Sequence, residues 1–269
     1  MFMSSQPQLH RVRRVARVIT GIPATDGSAI KRNRPIGTAM LDRVDPFLLF
    51  EEFHLDAADP NVAAHEVPYR GFEVISYTTS GTGEAQWLTA GRGMLHADLP
   101  DPAKGPVHGI QLWLNLPSAE KMQPPVARHI EAADIPAVIF PSAEVRVLAG
   151  QYHGLKGPID PPTTQPFLAE VILKAEGEVM LDIPEDHDGF VYVLDGGGVV
   201  VGQTIVNGGQ VGILDNGNIL NMVAGASGAR VFIATARPLK ESVARHGPFV
   251  MNTSEELKQA FSDYQDGLF

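Results

Sequence analysis

Alternation of apolar and polar positions dominates the chain. In Gly109-Ile-Gln-Leu-Trp-Leu-Asn-Leu116, the residues Ile110, Leu112, Leu114 and Leu116 alternate with Gln111, Trp113 and Asn115. This is the period of two of a strand with unlike faces. Gly71-Phe-Glu-Val-Ile-Ser-Tyr77, Ala143-Glu-Val-Arg-Val-Leu-Ala149 and Phe167-Leu-Ala-Glu-Val-Ile-Leu173 also read as strands between turn signals. The 27 glycines and 21 prolines are scattered along 269 residues, which favours many short strands joined by tight turns. Pro124-Pro125 excludes a strand interior, and the pattern predicts one unit over 1–125 and a second over 126–269. A short internal repeat supports two copies of one design. Tyr69-Arg-Gly-Phe-Glu-Val-Ile75 aligns with His187-Asp-Gly-Phe-Val-Tyr-Val193, and each is followed by a glycine-containing turn. One helix is expected, at the end. Thr253-Ser-Glu-Glu256 has the spacing of a capping box, and Leu257, Ala260, Phe261 and Tyr264 make one apolar face.

Composition narrows the function classes. At 44% hydrophobic and 19% charged residues the chain is of ordinary globular type. The net charge is −10, and the only basic patch is Arg11-Val-Arg-Arg14. It alternates with Val12, Val15 and Val18 and reads as the solvent face of a first strand, so nucleic-acid binding is not expected. The absence of cysteine removes disulfides, thiolate metal sites and cysteine nucleophiles, and fits a reducing compartment. Met1-Phe-Met-Ser-Ser-Gln-Pro7 lacks the apolar core of a secretory signal, and no apolar stretch approaches the ~20 residues of a membrane span. The expectation is a soluble cytoplasmic protein, with a nuclear location open in a eukaryote.

Several strings point to a family. Asp45-Pro-Phe-Leu-Leu-Phe50, Arg70-Gly-Phe-Glu73, Gln86-Trp-Leu-Thr-Ala-Gly-Arg-Gly-Met-Leu-His96, Gln111-Leu-Trp-Leu-Asn-Leu116, Glu120-Lys-Met122 and the stretch from His246 to Glu256 occur in that order. Together they resemble the pirin family. The resemblance implies an all-β fold of two facing cupin barrels (double-stranded β-helix, jelly-roll) with a short C-terminal helix. It also implies a mononuclear metal, typically iron, in the N-terminal barrel. The activities it implies are oxidative cleavage of flavonols such as quercetin in some members, and protein-binding regulation in others.

The family places its metal on three histidines and a glutamate, in a His-Pro-His-Arg-Gly-Phe-Glu string and a Gly-Arg-Gly-x-x-His-x-Glu string. Ligands two apart on a strand point the same way, so both pairs face one interior. Here those positions hold Val67, Tyr69, His96 and Asp98. Valine cannot ligate, tyrosine ligates only as a phenolate, and aspartate is one methylene short. His65 shares the parity of Val67 but lies about 6.6 Å along the strand from it. It is a weak ligand candidate, and His54 and His108 are weaker still. Between Tyr77 and Gln86, where the family carries another pair of strands, there is only Thr78-Thr-Ser-Gly-Thr-Gly-Glu-Ala85.

The resulting expectation is a pirin-like bicupin protein with a degenerate metal site, acting on a protein partner or on a small apolar or aromatic ligand. The alternative is an iron-dependent oxidoreductase of the quercetin 2,3-dioxygenase type that uses His96 and Asp98, with Val67, Tyr69 and Glu73 completing the pocket. The cofactor is accordingly a divalent metal, iron by resemblance, or none. In the second half, His187 among Glu185, Asp186 and Asp188 reads either as a carboxylate–histidine cluster or as a solvated turn.

Overall fold

The protein is described from a computed structural model covering residues 10–24, 30–55, 66–80, 82–97, 106–161 and 163–269. Two seven-stranded sheets dominate. Across the first, the strands run in the order Val126–Ile130, Ala85–Thr89, Phe72–Thr78, Val107–Asn115, Phe47–Leu55, Lys31–Ile36 and Ile22–Ala24. Across the second, they run Val15–Thr20, Gln210–Leu214, Asp188–Gly196, Ala229–Ala236, Phe167–Leu173, Ala143–Ala149 and Ala137–Ile139. The two orders correspond strand for strand, and all these neighbours pair antiparallel. The repeat read from Gly71-Phe72 and Gly189-Phe190 therefore extends to whole sheets.

The expected closed barrels are corrected. In neither sheet do the outermost strands pair with each other, so no sheet closes into a barrel. Closure requires hydrogen bonding to continue all the way round. Here the strands that would complete the circuit form separate small sheets that meet the large ones through side chains. Glu178–Asp182, Ile219–Ala224, Val199–Val201 and Thr204–Val206 make a four-stranded sheet, and its Val179, Leu181, Leu220 and Met222 pack on Val145, Val171 and Val191 of the second large sheet. In the first half the corresponding cover, among the described residues, is a two-stranded ribbon, Glu66–Tyr69 with Met94–Ala97. The architecture is thus all-β and cupin-like, with sandwiched sheets and a short terminal helix.

The central core lies between the two large sheets. Phe50 of the first sheet meets Phe190, Tyr192 and Phe232 of the second, with ring centroids 5.2, 4.8 and 5.8 Å apart. Each half also receives an element from the far side of the 125/126 division. The N-terminal strand Val15–Thr20 is an edge of the second large sheet, and Val126–Ile130 is an edge of the first. The closing hairpin, Ala244–His246 with Phe249–Met251, places Val250 in the core of the first half beside Tyr69 and Phe72. The helix Ser254–Gln265 follows with its capping box formed as expected. No helix among the described residues is long and apolar enough to cross a membrane.

The basic patch is not simply a solvent face. Arg13 is fully buried, and its guanidinium donates to the carbonyls of Gly217, Asp215 and Pro184 at 2.8, 3.3 and 2.7 Å. A three-residue alternation cannot reveal this, because the acceptors come from two loops 171 to 204 residues away.

Candidate metal centre

Of the family's four metal positions three are described, and among those only His96 offers an ordinary ligand atom. Val67 pairs with His96 across the two-stranded ribbon, but it offers no donor atom. Tyr69, 3% exposed, packs its ring edge-on against Phe72 and Trp113 at 5.3 and 5.7 Å. His96 is half-buried and its Nε2 lies 3.2 Å from Gln86 Oε1; burial pushes the imidazole below its ordinary pKa, so it is neutral. Asp98 and His65 lie outside the described residues. What stands at the expected site is an aromatic cluster with one neutral histidine at its edge.

Glu73 is on the other face of its strand. Phe72 and Val74 pack with Tyr69 and Trp113, whereas Ile75 and Tyr77, which share Glu73's parity, belong to the central core. Glu73 is 3% exposed and accepts at Oε1 from Trp87 Nε1 and Thr89 Oγ1, while Oε2 has no hydrogen-bond partner. Burial, only partly offset by those two donors, pushes its pKa up to about 7. It is a buried, readily protonated carboxyl between the halves rather than a member of the expected pocket.

The structure instead brings together three residues of adjacent strands in the first sheet. His54 on Phe47–Leu55 is the direct cross-strand partner of His108 on Val107–Asn115, and Glu52 is two residues before His54 on the same face. The imidazoles stack with centroids 4.0 Å apart. His108 Nε2 is 2.7 Å, and His54 Nε2 3.5 Å, from Glu52 Oε1. One ligand atom from each residue lies within 4.8 Å of the others, which suits a divalent ion. Behind the carboxylate, Tyr192 of the second sheet donates its hydroxyl to Glu52 Oε2 at 2.6 Å and accepts from Asn33 Nδ2 at 2.8 Å. Such outer contacts fix the direction in which a ligating carboxylate points. Burial would raise the Glu52 pKa, but hydrogen bonds from His108 and Tyr192 outweigh it, and the carboxyl lies below its usual value. Burial beside that anion pushes the Tyr192 phenol up, keeping it a donor.

The structure thus brings together His54 and His108, which the sequence ranks below His65. The available signal was Glu52-Phe-His54, a carboxylate and an imidazole two apart in a strand; the partner strand was not legible. A second group, Glu84, His129 and Glu131, is half-buried to exposed and makes looser contacts of 3.2 and 3.8 Å, so water competes with any ion there.

Similarity to known proteins agrees with this architecture. Residues 168–269 match the pirin C-terminal cupin domain, and residues 78–114 match the pirin family. A candidate quercetin 2,3-dioxygenase of Pseudomonas aeruginosa is 33% identical, with 96% of this chain and 98% of that protein covered. Human pirin is 33% identical over 90% and 89% of the two chains. A solved quercetin 2,3-dioxygenase from Acinetobacter baumannii superposes with a TM-score of 0.86 at 28% identity, covering 96% and 99%. With near-complete coverage by relatives above 30% identity and the paired-sheet architecture in place, the chain belongs to the pirin family of bicupin proteins, related to pirins and to quercetin dioxygenases alike.

Proposed function

We propose that the protein is a divalent-metal-dependent oxidoreductase of the quercetin 2,3-dioxygenase type, with its metal held by Glu52, His54 and His108. The observation that carries this reading is the donor set itself. Two imidazoles and one carboxylate within 4.8 Å of one another are the ligands used by non-haem iron oxygenases, which leave positions open for substrate. A metal bound there supplies Lewis acidity and redox capacity. The chain's own residues do the rest. Tyr192 and Asn33 hold the carboxylate in place, and the half-exposed ring of His54 leaves the centre open to solvent on one side. His96, neutral and tied to Gln86, is not needed as a ligand.

A second reading is favoured by the aromatic packing of Tyr69. A scaffold whose family metal position is filled with side chains suits a regulatory or ligand-binding member. One experiment separates the two. Protein purified without a histidine tag is offered iron, manganese, nickel, copper and zinc, and bound metal per chain is counted. The expected result is near-stoichiometric metal that is lost in His108→Ala and retained in His96→Ala, with quercetin-dependent oxygen uptake following the metal. Metal at background level in the unaltered protein sinks the oxidoreductase reading in favour of the binding one. Loss in His96→Ala alone returns the metal to the family position.

A further inference from the structure

The second half contains a cavity of about 620 Å3 that the proposed metal chemistry does not use. Its size falls within the ~300–1,000 Å3 of small-molecule sites. His10, Gln151, Gln165, Asp182, Glu185 and His187 are among the residues lining it. His187 is the repeat counterpart of Tyr69, and the two have opposite surroundings. Tyr69 is locked among aromatic rings, whereas His187 is 4% exposed and lines the cavity. Its Nδ1 lies 3.2 Å from the hydroxyl of buried Thr235. Among the described residues its Nε2 has no hydrogen-bond partner and is not sealed from water, and the ring borders an open volume. In the tautomer that carries its proton on Nδ1 and donates it to Thr235, Nε2 offers a lone pair. Burial, reinforced by Arg13 and Arg237 and opposed by Asp186, pushes His187 down to about 4, so the ring is neutral throughout the physiological range.

The rest of the lining is rich in acceptors. Asp182 and Glu185 contribute carboxylates and Gln151 and Gln165 side-chain carbonyls, while no lysine or arginine is among the described lining residues. The two nearby cations are committed elsewhere. Arg13 is spent on three backbone carbonyls, and Arg237 donates to Asp186 at 2.9 Å. Nor is this a site for a bare metal ion, because among the described residues the His187 group does not bring three ligand atoms within 4.8 Å of one another. We propose that the cavity is a second ligand site, which takes a small organic cation, an aliphatic amine or amidine, whose N–H groups are received by His187 Nε2 and the carboxylates of Asp182 and Glu185.

The test is calorimetric titration of the full chain, in chelator and near neutral pH, with putrescine and with 1,4-butanediol, a neutral molecule of similar length. Saturable putrescine binding is expected, tighter than the diol by about tenfold or more. It should weaken by about as much when Asp182→Asn and Glu185→Gln are combined, and remain unchanged in His108→Ala. Because His187→Phe alters a buried position, the exposed carboxylate pair provides the deciding variant, with an unchanged melting curve as its control. Equal binding of the diol, no saturable heat with putrescine, or full affinity in the double variant overturns the proposal. None of these outcomes touches the metal reading, since chelator is present throughout.

Discussion

The two halves are built on one strand order, yet the repeat position is packed among aromatic rings in one (Tyr69) and lines a cavity in the other (His187). The difference is traceable to how each large sheet is covered. In the second half, the hairpin Val199–Val201 with Thr204–Val206 lies between Asp188–Gly196 and Gln210–Leu214, and widens the cover to four strands. In the first half, Thr78 N–H donates to Glu84 O between Phe72–Thr78 and Ala85–Thr89, and the cover is two strands wide among the described residues. The C-terminal segment makes up the shortfall. Val250 joins the core, Phe249 meets Phe261, Tyr264 and Phe269, and Arg70 lies over Phe269 while pairing with Asp263 at 2.6 Å. The chain end thus adds aromatic rings to the cover of the first half, whereas His187 in the second lines an open volume. Glycine fixes the start of the repeat strand in both. A Cβ on Gly71, at φ 86°, would lie 1.9 Å from Val250 O, and one on Gly189 would lie 2.2 Å from Ala234 O.

Each half also holds a buried cation that donates to backbone carbonyls, and removing either clamp is the strongest way to break the comparison. Lys121 Nζ donates to Gly71 O, Asn115 Oδ1 and Val250 O at 2.7, 2.7 and 3.1 Å, fastening the closing segment to the first half. Arg13 does the same for the N-terminal segment on the second half. Methionine at either position leaves buried acceptors without donors. Lys121→Met and Arg13→Met are each expected to cost about 3 kcal/mol or more in denaturant titrations. A loss below about 1 kcal/mol in either would mean that water or relaxation replaces the clamp.

A comparable but pH-gated effect separates the halves further. Glu73 has a folded pKa of about 7 against 4.5, so between those values the folded state holds the proton more tightly. Its contribution is present at acid pH and declines as pH rises towards 7. His187, at about 4 against 6.5, has the opposite sign: the unfolded state takes the proton first, and stability falls as pH drops from 6.5 towards 4. Each shift corresponds to something on the order of 3 kcal/mol. Relative to the unaltered protein, Glu73→Gln is therefore expected to gain stability from pH 4.5 to 7, and His187→Asn to gain it from pH 6.5 down to 4. Parallel stability–pH curves for a variant and its parent would show that the residue does not titrate as its burial implies.

How much of this was legible follows the range of the interactions. Local patterns read well: the alternation in Ile110–Leu116, the capping box at Thr253 and the Gly-Phe repeat all report on neighbouring residues. The substitutions at Val67 and Tyr69 read directly from the sequence, and Tyr69 stands among aromatic rings in the fold. Strand partnership did not read. Nothing in the sequence says that His54 faces His108, that Arg13 reaches Pro184, or that the final helix serves the first half. Barrel closure failed for the same reason, because it depends on whether edge strands hydrogen-bond to each other, and alternation within a strand carries no information about that.

The smallest expected effect tests that assignment of the helix. Thr253 Oγ1 accepts from Glu256 N at 3.2 Å, and the Glu256 carboxylate accepts from Thr253 N at 2.9 Å. Thr253→Ala removes half of this exchange and should cost about 1 kcal/mol. The location of the loss is more informative than its size. The helix carries Asp263, Phe261 and Tyr264 against Arg70 and Phe249, so loosening its first turn should weaken the borrowed cover of the first half. Amide exchange is expected to accelerate at Arg70 and Val250, whose backbones bond to each other, and to stay unchanged at Val191, deep in the second sheet. Acceleration spread evenly over both halves would mean that they unfold as one unit, and that the difference in their covers does not divide the molecule's stability.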